Sequence, residues 1–206
     1  MSQKVKDGFA ILLILGISFM VVISTVTWST FDHQAIAKRS NKHKSGNFIL
    51  YNNPDYKISI QYPSKWKKSE ENLASHNVVR FSAPDVKQKE TKLSTIIFTP
   101  AYFGIAVEQV SKNITLEHYF DQYIKEIYPQ TKDYKIVQST NTLLAGFPAR
   151  KVIMYDYLGD HTSEVMRIVS IYNATAYRIA YYAEPGKFLD YLPTAQKMVE
   201  SLTIQQ

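Results

Sequence analysis

Arg150, Arg167 and Arg178 lie on three apolar segments late in the chain, with Asp156 between the first two. Read as strands joined by a hairpin at Leu158 to His161 and a two-residue hairpin at Asn173-Ala174, these segments register with all four side chains on one face. Three guanidiniums against one carboxylate could receive an anion or an acidic partner surface, because arginine forks match carboxylate and phosphate oxygens. The alternative is that they reach past the sheet edge and pair with helix carboxylates such as Asp121 or Glu126. A slip of one residue in register would scatter them.

Other chemistry-bearing residues group less well. Asp156, Asp160, His161 and Glu164 surround one turn, but Tyr157-Leu158-Gly159-Asp160-His161-Thr162 has the composition of a solvated hairpin. His33, His43, His76, His118 and His161 fall at no ligand spacing, so no metal site is expected. The chain has 0 cysteines, which removes disulfides, thiol nucleophiles, thiolate metal sites and a lipid-modified cysteine together. No nucleophile elbow, phosphate loop or dinucleotide fingerprint occurs, so the expectation is a non-enzyme without a cofactor. Asn113 and Asn173 head Asn-x-Thr sequons and are glycosylation candidates.

Strands must position these residues. Tyr56, Ile58, Ile60 and Tyr62 alternate with polar neighbours up to Pro63, the period of a half-buried strand. Similar runs follow at Val78 to Ser82, Ser94 to Thr99, Ile105 to Val110, Ala149 to Tyr157, Glu164 to Tyr172 and Thr175 to Ala183, separated by turn formers. Leu116, Tyr119, Phe120, Tyr123, Ile124 and Ile127 form one helical stripe, with Thr115 as N-cap and Pro129 as the stop. A closing helix is expected with Pro193 in its first turn and Ala195, Val199 and Leu202 on one face. The late strands are apolar on both faces, so both need cover. The fold class expected is α+β, a mostly antiparallel sheet with helices on both faces, an α/β/α sandwich.

Gly8 to Trp28 is an uncharged apolar run, and a helix rising about 1.5 Å per residue over that length matches a bilayer's ~30 Å hydrocarbon core. It is longer than the apolar region of a cleaved signal, so one N-terminal transmembrane helix is expected, contacting lipid through residues 8–28. The division expected is an anchor at 1–30, a basic flexible tether at 31–46 and one globular domain at 47–206. Net charge is +6, yet from Asn47 onward 18 Lys/Arg stand against 16 Asp/Glu. The basicity belongs to the membrane flanks, where it suits anionic headgroups, and nucleic acid is not an expected partner. Two Lys before the run against four Lys/Arg after it favour an inside domain, whereas the sequons favour outside. These residues leave the orientation open.

Three stretches, in order, resemble the PsbP-like family, the PsbP/Mog1 fold. They are Tyr56-Lys-Ile-Ser-Ile-Gln-Tyr-Pro63 followed by Trp66, Gly146-Phe-Pro-Ala-Arg150, and Lys197-Met-Val-Glu-Ser-Leu202. The likeness spans about Asn47 to Ile204 and is to the membrane-anchored prokaryotic type, since this chain has an apolar anchor where photosynthetic members have a transit peptide. The resemblance implies the sandwich fold and an extracytoplasmic domain, with no family site residues to carry over.

The expected function is therefore a non-enzymatic, membrane-tethered accessory or docking module for a membrane or envelope protein complex. It would be single-pass in the cell membrane, with a protein partner and an extracytoplasmic domain. The alternative is a small-ligand or ion-binding domain with a pocket between sheet and helix, lined by Tyr119, Tyr123, Tyr155 and Tyr181.

Overall fold

The computed structural model describes residues 47–70, 76–84, 87–91, 94–98, 101–129, 131–157, 162–184 and 186–205. The expected anchor at 8–28, the tether at 31–46, and Asp160 and His161 lie outside them. No helix among the described residues is long and apolar enough to cross a membrane.

Seven antiparallel strands make the main sheet: β3 (Lys67–Ser69), β4 (Asn77–Ser82), β7 (Ala101–Gln109), β11 (Thr175–Ala183), β10 (Ser163–Tyr172), β9 (Phe147–Asp156) and β8 (Tyr134–Leu144), in that spatial order. A smaller sheet has the order β1 (Phe48–Asn53), β2 (Ile58–Pro63), β12 (Thr203–Ile204), and β5 (Lys87–Thr91) pairs with β6 (Ser94–Phe98). Two tight hairpins hold the late strands in register. Ala145-Gly146 and Asn173-Ala174 all take positive φ, 51°, 87°, 48° and 54°, the two-residue geometry whose twist matches the flanking strands. The second hairpin is the expected one, and the expected register of Arg150, Arg167 and Arg178 holds: Val169 pairs with both Arg150 and Arg178.

Two-residue alternation divides the core into two layers. On one face, helix α1 (Leu116–Ile127) sets Tyr119, Phe120, Tyr123 and Ile124 against Val152, Met154, Val165 and Val169. Its start is as expected: the Thr115 hydroxyl accepts from the His118 backbone N–H at 3.2 Å. On the other face, helix α2 (Phe188–Ser201) and the smaller sheet bury Ile58, Ile60, Phe81, Ile105, Ile179 and Met198. Fully burying such an aliphatic side chain stabilises by about 1.5–3 kcal/mol. Antiparallel sheet with a helix on each face is the expected sandwich. The quoted motifs gain physical meaning in it: Trp66 is buried with its ring edge-on to Tyr191 of α2 at 6.0 Å, and Gly146 supplies the positive φ that turns β8 into β9.

Several details differ from expectation. Pro193 lies inside α2 rather than in its first turn, because the helix already starts at Phe188. The buried face is accordingly Phe188, Tyr191, Leu192, Ala195 and Met198, with Val199 half-buried and Leu202 capping the end. Tyr56 is 42% exposed, since the Pro54 to Lys57 turn, with Lys57 at φ 55°, interrupts the alternation before β2 begins. Strands β1, β8 and β12 carry too few inward apolar residues to show a period, and β7 starts four residues earlier than its apolar run.

Candidate functional site

Helix α1 crosses β9 and β10, and beside it the same face of β11, β7 and β4 is only partly covered. One cross-strand row explains the gap. Arg80 pairs with Gly104, Gly104 with Ala180, and Ala180 with Arg167, so two positions with almost no side chain separate two arginines. With strands about 4.8 Å apart, the two Cα atoms stand roughly 14 Å from one another. The next row places Ala106 beside Arg178, and the row before it places Tyr102 beside Tyr182. The result is a cleft of about 370 Å³ floored by Gly104, Ala106 and Ala180 and walled by Arg80, Arg167, Arg178, Tyr102, Tyr123 and Tyr182, with His76 and Glu126 at its margin.

Arg167 is the most deeply set of these groups, at 2% exposure. Its Nη1 donates to the Tyr123 hydroxyl at 2.8 Å, and Nη2 donates to the hydroxyls of Tyr128, at 2.8 Å, and Tyr182. Tyr128 in turn donates to Asp156 Oδ2 at 2.9 Å. Burial pushes the Tyr128 and Tyr182 phenols above their ordinary range, which keeps both protonated at neutral pH. The buried guanidinium is thus met by neutral oxygens and ring faces, and its carboxylate counter-charge is one phenol away. Arg167 makes no ion pair of its own among the described residues.

The other cations are held more loosely. Arg178 is 9% exposed, stands over the Tyr123 ring at 4.8 Å, and meets Glu108 at 3.5 Å, beyond the 2.7–2.9 Å of a strong charge-assisted bond. Glu108 also accepts from the Tyr119 hydroxyl at 2.8 Å. Arg80 is exposed and lies over Tyr102 at 4.4 Å; Tyr102 stacks on Tyr182 at 4.5 Å. Among the described residues, the buried Nε atoms of Arg167 and Arg178 have no hydrogen-bond partner.

Of the expected cluster, Arg167 and Arg178 come together at the cleft. Arg150 does not line it: it shares the face but sits under α1, over the Phe120 ring at 5.0 Å, with its buried Nε also unpartnered. Asp156 is buried and anchors Tyr128. Pairing with Asp121 or Glu126 does not occur. Both are exposed, and Arg178 takes Glu108 instead. The expected tyrosine pocket is not formed either. Tyr119 and Tyr123 lie on the α1 face, whereas the parity of β9 and β11 sends Tyr155 and Tyr181 to the other, where Tyr181 donates to the Phe188 carbonyl at 2.7 Å.

Around the acidic turn, Glu164 pairs with Tyr155 on the face opposite Asp156, and burial raises its carboxyl above the usual range. No group of three His, Asp or Glu able to hold a metal occurs among the described residues. His118 is exposed on α1, as are Asn113 and Asn173 of the sequons. Arg80, Gly104, Tyr102 and Tyr182 were not foreseen as site residues. The only signal for them was the strand period of their segments, which carries no information about which strands meet.

No family model matches the chain, and no curated protein sequence matches it. Its structure is similar to cyanobacterial PsbP (CyanoP) from Synechocystis, with a TM-score of 0.57 at 9% identity over 79% of this chain and 95% of that one. It is also similar to the Ran-binding protein Mog1p of Saccharomyces cerevisiae, with a TM-score of 0.54 at 10% identity over 78% and 96%. LpqN of Mycobacterium tuberculosis, involved in cell envelope biogenesis, gives 0.53 at 9% over 80% and 88%. The fold is PsbP/Mog1-like, as the resemblance implies.

Proposed function

We propose that this PsbP/Mog1-like chain is a non-enzymatic docking module, held to a membrane by residues 8–28 and carried on the basic tether at 31–46. Its domain at 47–206 stands on the extracytoplasmic side and joins a membrane or envelope protein complex as an accessory subunit. The observation that carries this reading is the outer edge of β8. Tyr134–Leu144 ends the seven-strand sheet with β9 on one side, and no described strand pairs with the other. Ile136, Val137 and Leu143 along it are 43%, 58% and 62% exposed, and Lys135 is its one charge. Long edges in monomers are blunted by charge, proline or cover, and one left open invites an added strand from a partner.

Two further points support the reading. Mog1p is a Ran-binding protein, so the fold has a precedent for protein docking. Leu50 and Ile49 on β1 are further exposed apolar side chains, at 67% and 43%. The test replaces Val137 with a photo-crosslinking residue in the intact, membrane-bound chain and uses exposed Glu117 on α1 as the control position. A discrete adduct from position 137 alone is expected; equal labelling at both positions, or none, overturns the docking edge. Protease added to intact cells should cut the domain, and cutting confined to inverted vesicles would place the domain on the other side.

A further inference from the structure

We propose that the cleft beside α1 binds a phosphate group, presented by a small phosphate ester or a lipid headgroup. This goes beyond docking and does not depend on it. The first ground is shape. Gly104, Ala106 and Ala180 remove side chains from the middle of an otherwise filled sheet face, and the resulting volume of about 370 Å³ is in the range of small-molecule sites. A Cβ added at Gly104 would meet only the Ala180 and Val79 carbonyls, both at 3.9 Å, so the strand does not require glycine there for space. What glycine provides is the floor.

The second ground is charge. Arg80, Arg167 and Arg178 face the space, against Glu108, already engaged by Arg178 at 3.5 Å and by Tyr119, and Glu126 at the exposed margin. An anion in the cleft is the group that would answer this excess of positive charge.

The third ground selects phosphate. Positive charge stands at both ends of the Arg80-Gly104-Ala180-Arg167 row and again one row away at Arg178. A tetrahedral phosphate presents oxygens in all these directions, whereas a planar carboxylate offers one edge. Arg80 is the exposed contact, and Arg178, over the Tyr123 ring and 3.5 Å from Glu108, is the second. Arg167, locked by three phenols, supplies a fixed field from beneath.

The test is calorimetric titration of the full-length chain in phosphatidylcholine nanodiscs with inorganic phosphate, against chloride at matched ionic strength. Saturable one-site binding is expected, weakened about tenfold by Arg80→Gln. Gly104→Val, which fills the floor without changing charge, should abolish it, while Lys187→Gln, on the exposed surface, should leave it unchanged. Should Gly104→Val fail to fold, exposed Arg80→Gln carries the test alone. Phosphate binding that survives both cleft substitutions overturns the site, and acetate binding as tightly as phosphate overturns the choice of ligand. Phosphatidylglycerol nanodiscs separate the sources. Suppressed phosphate binding there supports a headgroup in the cleft, and unchanged binding supports a soluble ester.

Discussion

Removing one oxygen, in Tyr128→Phe, tests how the fold tolerates the buried charge of Arg167. Tyr128 and Arg167 are each 2% exposed and Asp156 is 8% exposed, so water does not readily replace what the phenol supplies. That hydroxyl accepts from Arg167 Nη2 at 2.8 Å and donates to Asp156 Oδ2 at 2.9 Å. A hydrogen bond to a charged group contributes about 1.5–3 kcal/mol. Two are lost, but Nη2 keeps its bond to Tyr182, which offsets part of the first. The net destabilisation expected is about 3 kcal/mol.

Urea unfolding of the full-length protein, followed by circular dichroism, measures this directly. Tyr134→Phe is the internal control. Tyr134 packs near Tyr128, with ring centroids 5.0 Å apart, and should stay within about 0.5 kcal/mol of the parent. A double-mutant cycle with Asp156→Asn isolates the relay, because a carboxylate bound through Tyr128 should couple to it by about 1 kcal/mol or more. The reasoning is refuted if Tyr128→Phe behaves like the control, or if the two substitutions are additive.

Three other outcomes follow from the same structure. Ala174→Gly should stabilise the protein by about 0.5–1 kcal/mol in the same assay, because Ala174 holds φ at 54° in a turn that favours glycine. Thr115→Ala should cost about 1 kcal/mol by removing the hydroxyl that accepts from the His118 N–H, and an unchanged urea midpoint would deny the cap its role. Burial pushes the Tyr51 phenol up to about 12 from its ordinary 10.0, so the folded state favours the protonated form. That stability is fully present below pH 10 and is lost as pH rises toward 12; urea unfolding measured across this range should show Tyr51→Phe removing part of this alkaline loss.

Much of the architecture could be read from local pattern. Thr115, the stripe ending at Ile127, and Pro129 together specify α1, because capping and 3.6-residue periodicity act within a few residues. Asn173-Ala174 fixes the β10–β11 register, and through it the shared face of Arg167 and Arg178. Edge strands were harder to read. In β8, seven of the residues are exposed, so nothing enforced an inward period. In α2, Pro193 by itself marks a helix start, although Phe188 packs more than a full turn earlier.

The candidate site divides along the same line. The residue order by itself determined which side chains of a hairpin share a face, because alternation and a two-residue turn leave no freedom in parity. It also determined that the late strands need cover on both sides. Only the tertiary structure decided that β7 lies between β4 and β11, since pairing between segments so far apart in sequence rests on how the whole core fills. That pairing sets Gly104 and Ala180 between Arg80 and Arg167, and makes a cleft from residues that are unremarkable on their own strands.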